Sequence, residues 1–240
     1  MANIQLFSLL ILIILLIIII ILIINKHNKS EQPLNNDEQQ QPVNVQPQPV
    51  NVVKKSIFRL SNVENSTGIN DESPNDGAEA MYLDRHNINC GWNKVINNFQ
   101  LVRDGESKFH YKYNCSSNDK LEGVMGMSTP ENTLGPSGGK VVYLDRHNVN
   151  CEGNRLLTQY KLTRGNNDNF KYDYSCTTVG QPLECRNTET EFSNDGGNYG
   201  KTRFLDRHNV KCNSDEALKQ FKLVRDPLGT KIKYQYTCCK

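Results

Sequence analysis

The sequence predicts an all-β domain of three repeats of about 61 residues, in a pseudo-threefold β-prism-like arrangement preceded by one transmembrane helix. Three observations lead there. The segments Met81–Cys90 (MYLDRHNINC), Val142–Cys151 (VYLDRHNVNC) and Arg203–Cys212 (RFLDRHNVKC) recur 61 residues apart, and a fixed period of this size marks one supersecondary unit used several times. Each phrase is followed by strict two-residue alternation, with Phe109, Tyr111, Tyr113 and Cys115 on one face and His110, Lys112 and Asn114 on the other. That is the pattern of a half-buried strand. All eight cysteines lie beyond residue 89 and recur with the repeat.

The chain divides into three zones. In the first, residues 1–25, Leu6–Ile24 holds Ser8 as its only polar residue. Nineteen helical residues span roughly 28 Å, close to a bilayer core. No Lys or Arg precedes the run and no small-x-small site follows it, so an uncleaved signal anchor is expected over a cleaved signal peptide. Residues 26–54 are rich in Gln, Asn and Pro and too poor in apolar residues to form a core, so a disordered spacer is expected. Residues 55–240 form the β domain, with repeats at about 55–117, 118–178 and 179–240.

Within each repeat a weak strand comes first, around 57–60, 123–127 and 183–188. Gly- and Asn-rich stretches such as ENTLGPSGGK then read as long loops, followed by the phrase. Next come Phe99–Arg103, Tyr160–Arg164 and Phe221–Arg225, a polar turn, and the alternating strands Phe109–Cys115, Phe170–Cys176 and Ile232–Cys238. Three units of about four strands suit a β-prism; a β-trefoil is the alternative, with shorter units.

The cysteines read as a disulfide framework, which normally implies an oxidising compartment. Repetition selects Cys90–Cys115, Cys151–Cys176 and Cys212–Cys238, leaving Cys185 and Cys239 for each other. Each 25-residue loop would stabilise by about 3 kcal/mol in the chain-entropy model. Zinc would need closely spaced C-x-x-C pairs, which are absent. The cysteines place residues 26–240 outside the cell or in a lumen. Lys26 and Lys29 argue for the cytosolic side under the positive-inside rule.

If the phrase is a strand, Asp84, His86, Ile88 and Cys90 share its inward face. Buried charges are costly unless paired. The plain expectation is one polar network per unit: Asp84, His86 and Arg103; Asp145, His147 and Arg164; Asp206, His208 and Arg225. The sharper expectation is that the three histidines converge on the axis to hold a metal or an anion. No catalytic residue is expected, since nucleophile motifs and Gly-rich phosphate loops are missing. No cofactor is expected either. Lys+Arg 28 against Asp+Glu 26 leaves no field to attract nucleic acid. Asn65-Ser-Thr67 is the best-placed N-glycan acceptor pattern, ahead of those at Asn28 and Asn114.

The stretch Cys212 with Ala217–Leu223 resembles β-prism repeats of the vitelline-membrane outer-layer type. The pattern L-D-R-H-N-[IV]-x-C followed by Y-x-Y-x-C resembles repeats in surface proteins of large double-stranded DNA viruses, over residues 81–240. That likeness implies a virion membrane, and viral thiol oxidases that would allow bridges on the cytosolic side. The resulting expectation is a non-enzymatic, membrane-anchored surface protein for attachment or assembly. Its partners would be the lipid bilayer, surface glycans, or envelope and capsid proteins. A lectin-like carbohydrate-binding module is the alternative.

Overall fold

The computed structural model describes residues 58–68, 79–135, 139–167, 169–194 and 200–240. The expected anchor at 1–25, the spacer at 26–54 and part of the first weak strand lie outside the described residues. Among those described, no helix is long and apolar enough to cross a membrane.

The described chain is all-β. Its strands in order are β1 (Arg59–Leu60), β2 (Asn65–Ser66), β3 (Asn87–Asn89), β4 (Lys94–Asp104), β5 (Lys108–Ser117), β6 (Leu121–Ser128), β7 (Asn132–Thr133), β8 (Asn148–Asn150), β9 (Arg155–Arg164), β10 (Asn169–Val179), β11 (Cys185–Glu189), β12 (Ser193–Asn194), β13 (Asn209–Lys211), β14 (Ala217–Arg225) and β15 (Lys231–Cys239). They form three five-stranded antiparallel sheets of one pattern. In each, a long hairpin (β4–β5, β9–β10, β14–β15) is flanked on one side by two outer strands of its own unit. On the other side lies a three-residue strand from a different unit.

That last strand is the organising feature. The first unit gives β3 to β9 of the second, the second gives β8 to β14 of the third, and the third gives β13 to β4 of the first. The exchange is cyclic, so the ring closes on itself without covalent continuity at its last junction.

The alternating strands bury the expected face. Phe109, Tyr111, Tyr113 and Cys115 are all under 9% exposed, as are their counterparts in β10 and β15. Each second strand carries a bulge: the pairing shifts around Asn97 in β4, Thr158 in β9 and Lys219 in β14. A bulge inserts one residue and rotates the strand beyond it. Ahead of the bulge, alternation sends Ile96 to the main core and Val95 to a second cluster with Leu156, Ala217, Phe58, Val179 and Cys239; the inserted Asn97 then keeps Phe99 and Leu101 on the Ile96 side.

The repeated phrase departs from the expected strand. Ala80–Arg85, Val141–Arg146 and Thr202–Arg207 are 3-10 helices, and extended backbone begins only at His86, His147 and His208. The inward face is therefore shared by His86, Ile88 and Cys90, all buried, without Asp84. The physical reason is register. Leu83 is buried within its 3-10 turn, so Leu83 and His86 reach the core at helical spacing while Ile88 and Cys90 follow at strand spacing.

All four expected disulfides are present: Cys90–Cys115, Cys151–Cys176, Cys212–Cys238 and Cys185–Cys239. The first three tie each exchanged strand to the hairpin of its own unit. The fourth joins two residues in register on β11 and β15.

Candidate functional site: the repeated clasp

Each residue of the phrase has a distinct environment. Leu83, Leu144 and Leu205 are at most 2% exposed and fill the core. The carboxylates reach into the following unit. Asp84 accepts from Nε of Arg164; Arg225 Nε lies 2.7 Å from Asp145 Oδ2, and Arg103 Nε lies 2.5 Å from Asp206 Oδ2. The expected networks of one per unit are thus replaced by ion pairs between units. The cause is the exchange of β3, β8 and β13, which carries each aspartate to the neighbour's hairpin. Only one oxygen of each carboxylate is used: Oδ1 of Asp84, Asp145 and Asp206 is buried without a hydrogen-bond partner.

The arginines of the phrase point outward onto aromatic rings. The guanidinium of Arg85 lies 4.4 Å from the Tyr82 ring centre, Arg146 lies 4.3 Å from Tyr143 and Arg207 lies 4.1 Å from Phe204. Arg146 and Arg207 also donate to the carbonyls of Thr133 and Asn194, fastening the 3-10 helix to the outer strands. Such stacking contributes about 0.5–1 kcal/mol at an exposed site.

The histidines are 1–2% exposed. Their Nδ1 atoms lie 2.9 Å from the hydroxyls of Thr67, Thr129 and Thr190. Each hydroxyl oxygen also accepts a backbone N–H, from Tyr111, Tyr172 and Tyr234 respectively. Each threonine hydroxyl thus ties a buried imidazole to the backbone of the hairpin in its own unit. In the third unit Nε2 of His208 lies 2.8 Å from Ser193 Oγ. Burial lowers the His147 pKa and takes that of His208 down to about 4, so both imidazoles are neutral at physiological pH.

The histidines do not meet. Phe99, Tyr160 and Phe221, one from each unit, pack against each other with ring centres 4.7–5.2 Å apart. Tyr111, Tyr172 and Tyr234 bridge successive pairs of that triangle. Each histidine stands outside this wheel, against the tyrosine of its own unit at 5.8–6.0 Å. Six aromatic rings therefore occupy the place where the imidazoles were expected to converge, because Phe99, Tyr160 and Phe221 follow the bulge on the inward face. Among the described residues, one group has metal-ligand geometry: Cys212, Glu216 and Cys238. It does not suit a metal, since the two sulfurs are bonded to each other and both Glu216 oxygens bind Arg186 at 2.7 Å. Those bonds hold the Glu216 carboxyl below its usual range.

Asn65 is half-buried beside the first bridge, with Nδ2 3.5 Å from the Tyr113 carbonyl and 3.8 Å from Cys115 Sγ. A glycan there would displace that contact.

Sequence reasoning missed the threonines and the partner tyrosines. Thr67, Thr129 and Thr190 stand 18 or 19 residues before their histidines, an offset that aligning the repeats exposes. Tyr113, Tyr174 and Tyr236 donate their hydroxyls to the carbonyls of Asn89, Asn150 and Lys211, a backbone contact with no side-chain signature.

No protein-family model, no curated protein and no solved structure matches the chain.

Proposed function

We propose that this chain is a non-enzymatic surface protein, anchored by residues 1–25 and presenting a disulfide-stapled, β-prism-like domain for attachment or assembly. The observation that carries the reading is the use made of the repeated phrase. Its Asp side chains pair with arginines of the next unit, its Arg, His and Cys side chains are engaged within their own unit, and the pseudo-axis is packed with aromatic rings. A scaffold needs such groups in every copy, whereas a reaction centre needs them once. Ligands then belong on the outer surface. The anchor and spacer would hold that surface away from a bilayer, on a cell or a virion. Four bridges favour an oxidising side, outside or lumenal.

A second reading, a lectin-like module, is favoured by one surface. The outward face of β14, β15 and β11 forms a shallow cleft of about 360 Å³ lined by Asn187, Glu189, Gln220, Lys222, Gln235 and Thr237. Amide and hydroxyl rows of this kind suit sugar hydroxyls. Two measurements separate the readings. Protease protection and carbonate extraction of the full chain in its native membrane should show one anchored span with the β domain protected on the non-cytosolic side. A glycan array should give no signal under the first reading and a Gln220- and Gln235-dependent signal under the second.

A further inference from the structure

The threefold pattern is broken on the surface at one junction. Trp92 stands 77% exposed on the turn between Cys90 and β4, and Val124 and Met125 on β6 are 56% and 52% exposed. Trp92 and Val124 line one cleft between the first and second units. The repeats supply an internal comparison. The counterparts of Trp92 are Gly153 and Ser214. Met125 is opposite Cys176 in its ladder, where Arg186 is opposite Cys238 in the third sheet. Arg186 is engaged by Glu216, whereas in the second unit Arg155 Nη1 lies 2.7 Å from Met125 Sδ, so an ion pair in the third unit is replaced by a thioether that stays 52% exposed. The scaffold that the units share does not require this patch, and exposed apolar patches mark interaction surfaces.

The patch coincides with an open sheet edge. β6 ends its sheet, and its eight residues exceed the two of β1 and the five of β11. Among the described residues no backbone group bonds its outer side. Gly123, with φ +59°, absorbs a bulge, and Val124–Ser128 then pairs regularly with β10. This run carries no charge and no proline, the devices that ordinarily protect an edge.

We propose that β6 is a self-association edge, to which a second copy of this chain adds its own β6 antiparallel about Gly126. That register places Met125 of one copy opposite Met127 of the other and Val124 opposite Ser128, with no like charges facing. One segment supplies both sides, as a two-fold interface requires. The inference goes beyond the surface-protein reading and does not depend on it.

Sedimentation of the full chain in detergent should show a concentration-dependent dimer. A Cβ added at position 126 meets no heavy atom within 4 Å and the residue is exposed, so the variants are chosen there; an unchanged melting temperature of each variant checks that the monomer still folds. Gly126→Lys sets two ammonium groups opposite each other across the two-fold and should raise the dissociation constant at least tenfold; Gly126→Asp should do the same. Mixing the two variants should restore association. Asn187→Lys, at the equivalent place on β11, should leave association unchanged. A chain that sediments as a monomer at all concentrations would overturn the proposal. So would Gly126→Lys associating like the parent, or a mixture that stays monomeric.

Discussion

Arg103 of the first unit closes on Asp206 of the third, Nε to Oδ2 at 2.5 Å, across 103 residues of sequence. The same pair occurs as Asp84 with Arg164 and Asp145 with Arg225, each 80 residues apart. In those two the aspartate precedes its arginine, and the chain runs continuously from one unit into the next. Only at the last junction does the order reverse, so only there is the ring held by non-covalent contacts alone. Other contacts across it include the β13–β4 ladder, the Cys212 N–H on the Asn97 carbonyl at 3.1 Å, the Asn97 amide on the Asn213 and Glu216 carbonyls at 2.8 Å, the Gln100 amide on the Asp206 carbonyl at 2.9 Å, the Arg203–Glu106 ion pair and the Phe99–Phe221 ring contact.

Arg103→Ala is accordingly expected to loosen β13 before the other exchanged strands. Both side chains of the pair are partly exposed (35% and 17%), so a double-mutant cycle with Asp206→Ala should give a coupling of only about 1 kcal/mol. Hydrogen exchange should nonetheless quicken at Val210 and Lys211 and stay slow at Ile88 and Val149. Uniform quickening in all three strands would show that the junctions do not open separately.

His208 makes stability depend on pH. Its folded pKa of about 4 lies below the ordinary 6.5, so the unfolded chain takes up the proton first. The stabilisation is full above pH 6.5 and declines as pH falls from there towards 4, by roughly 3 kcal/mol in all. Denaturant unfolding across that window, compared between the parent and His208→Gln, should show a flatter profile in the variant. Equal slopes would place the titration elsewhere.

The four bridges should differ in accessibility. Cys185 is exposed, whereas both members of the other three bridges are under 9% exposed. Graded treatment with a thiol reductant, followed by alkylation and mass spectrometry, should label Cys185 and Cys239 first. Labelling of Cys151 or Cys176 ahead of them would contradict this order.

Tyr160 places a hydroxyl where the other two units have Phe99 and Phe221, and that hydroxyl is buried without a partner. Burial and the neighbouring tyrosines hold its pKa far above the usual value, so it stays protonated. Leaving such a group unsatisfied costs about 1–3 kcal/mol. Tyr160→Phe should therefore raise the melting temperature or leave it unchanged. A clear fall would mean that the hydroxyl has a partner in solution.

The strands, the three units and all four bridges were legible in the sequence, because alternation and repetition are local properties of the chain. Phe109, Tyr111, Tyr113 and Cys115 announce an inward face whatever that face meets. Repetition likewise pairs Cys90 with Cys115 without any knowledge of the sheet. What the tertiary structure decided is which unit each phrase serves. A strand of three residues, such as β3, carries too little pattern to name its neighbour, and the ladder Asn87–Lys161 forms only when the ring closes. For the same reason Asp84 was matched in sequence with Arg103 but binds Arg164 in space. The 3-10 turn at Leu83–Arg85 and the bulge at Asn97 reset the side-chain period, and with it the fate of the histidines. Repetition and alternation determined that a stapled β domain would form; closure of the ring determined that its repeated aspartates hold one unit to the next.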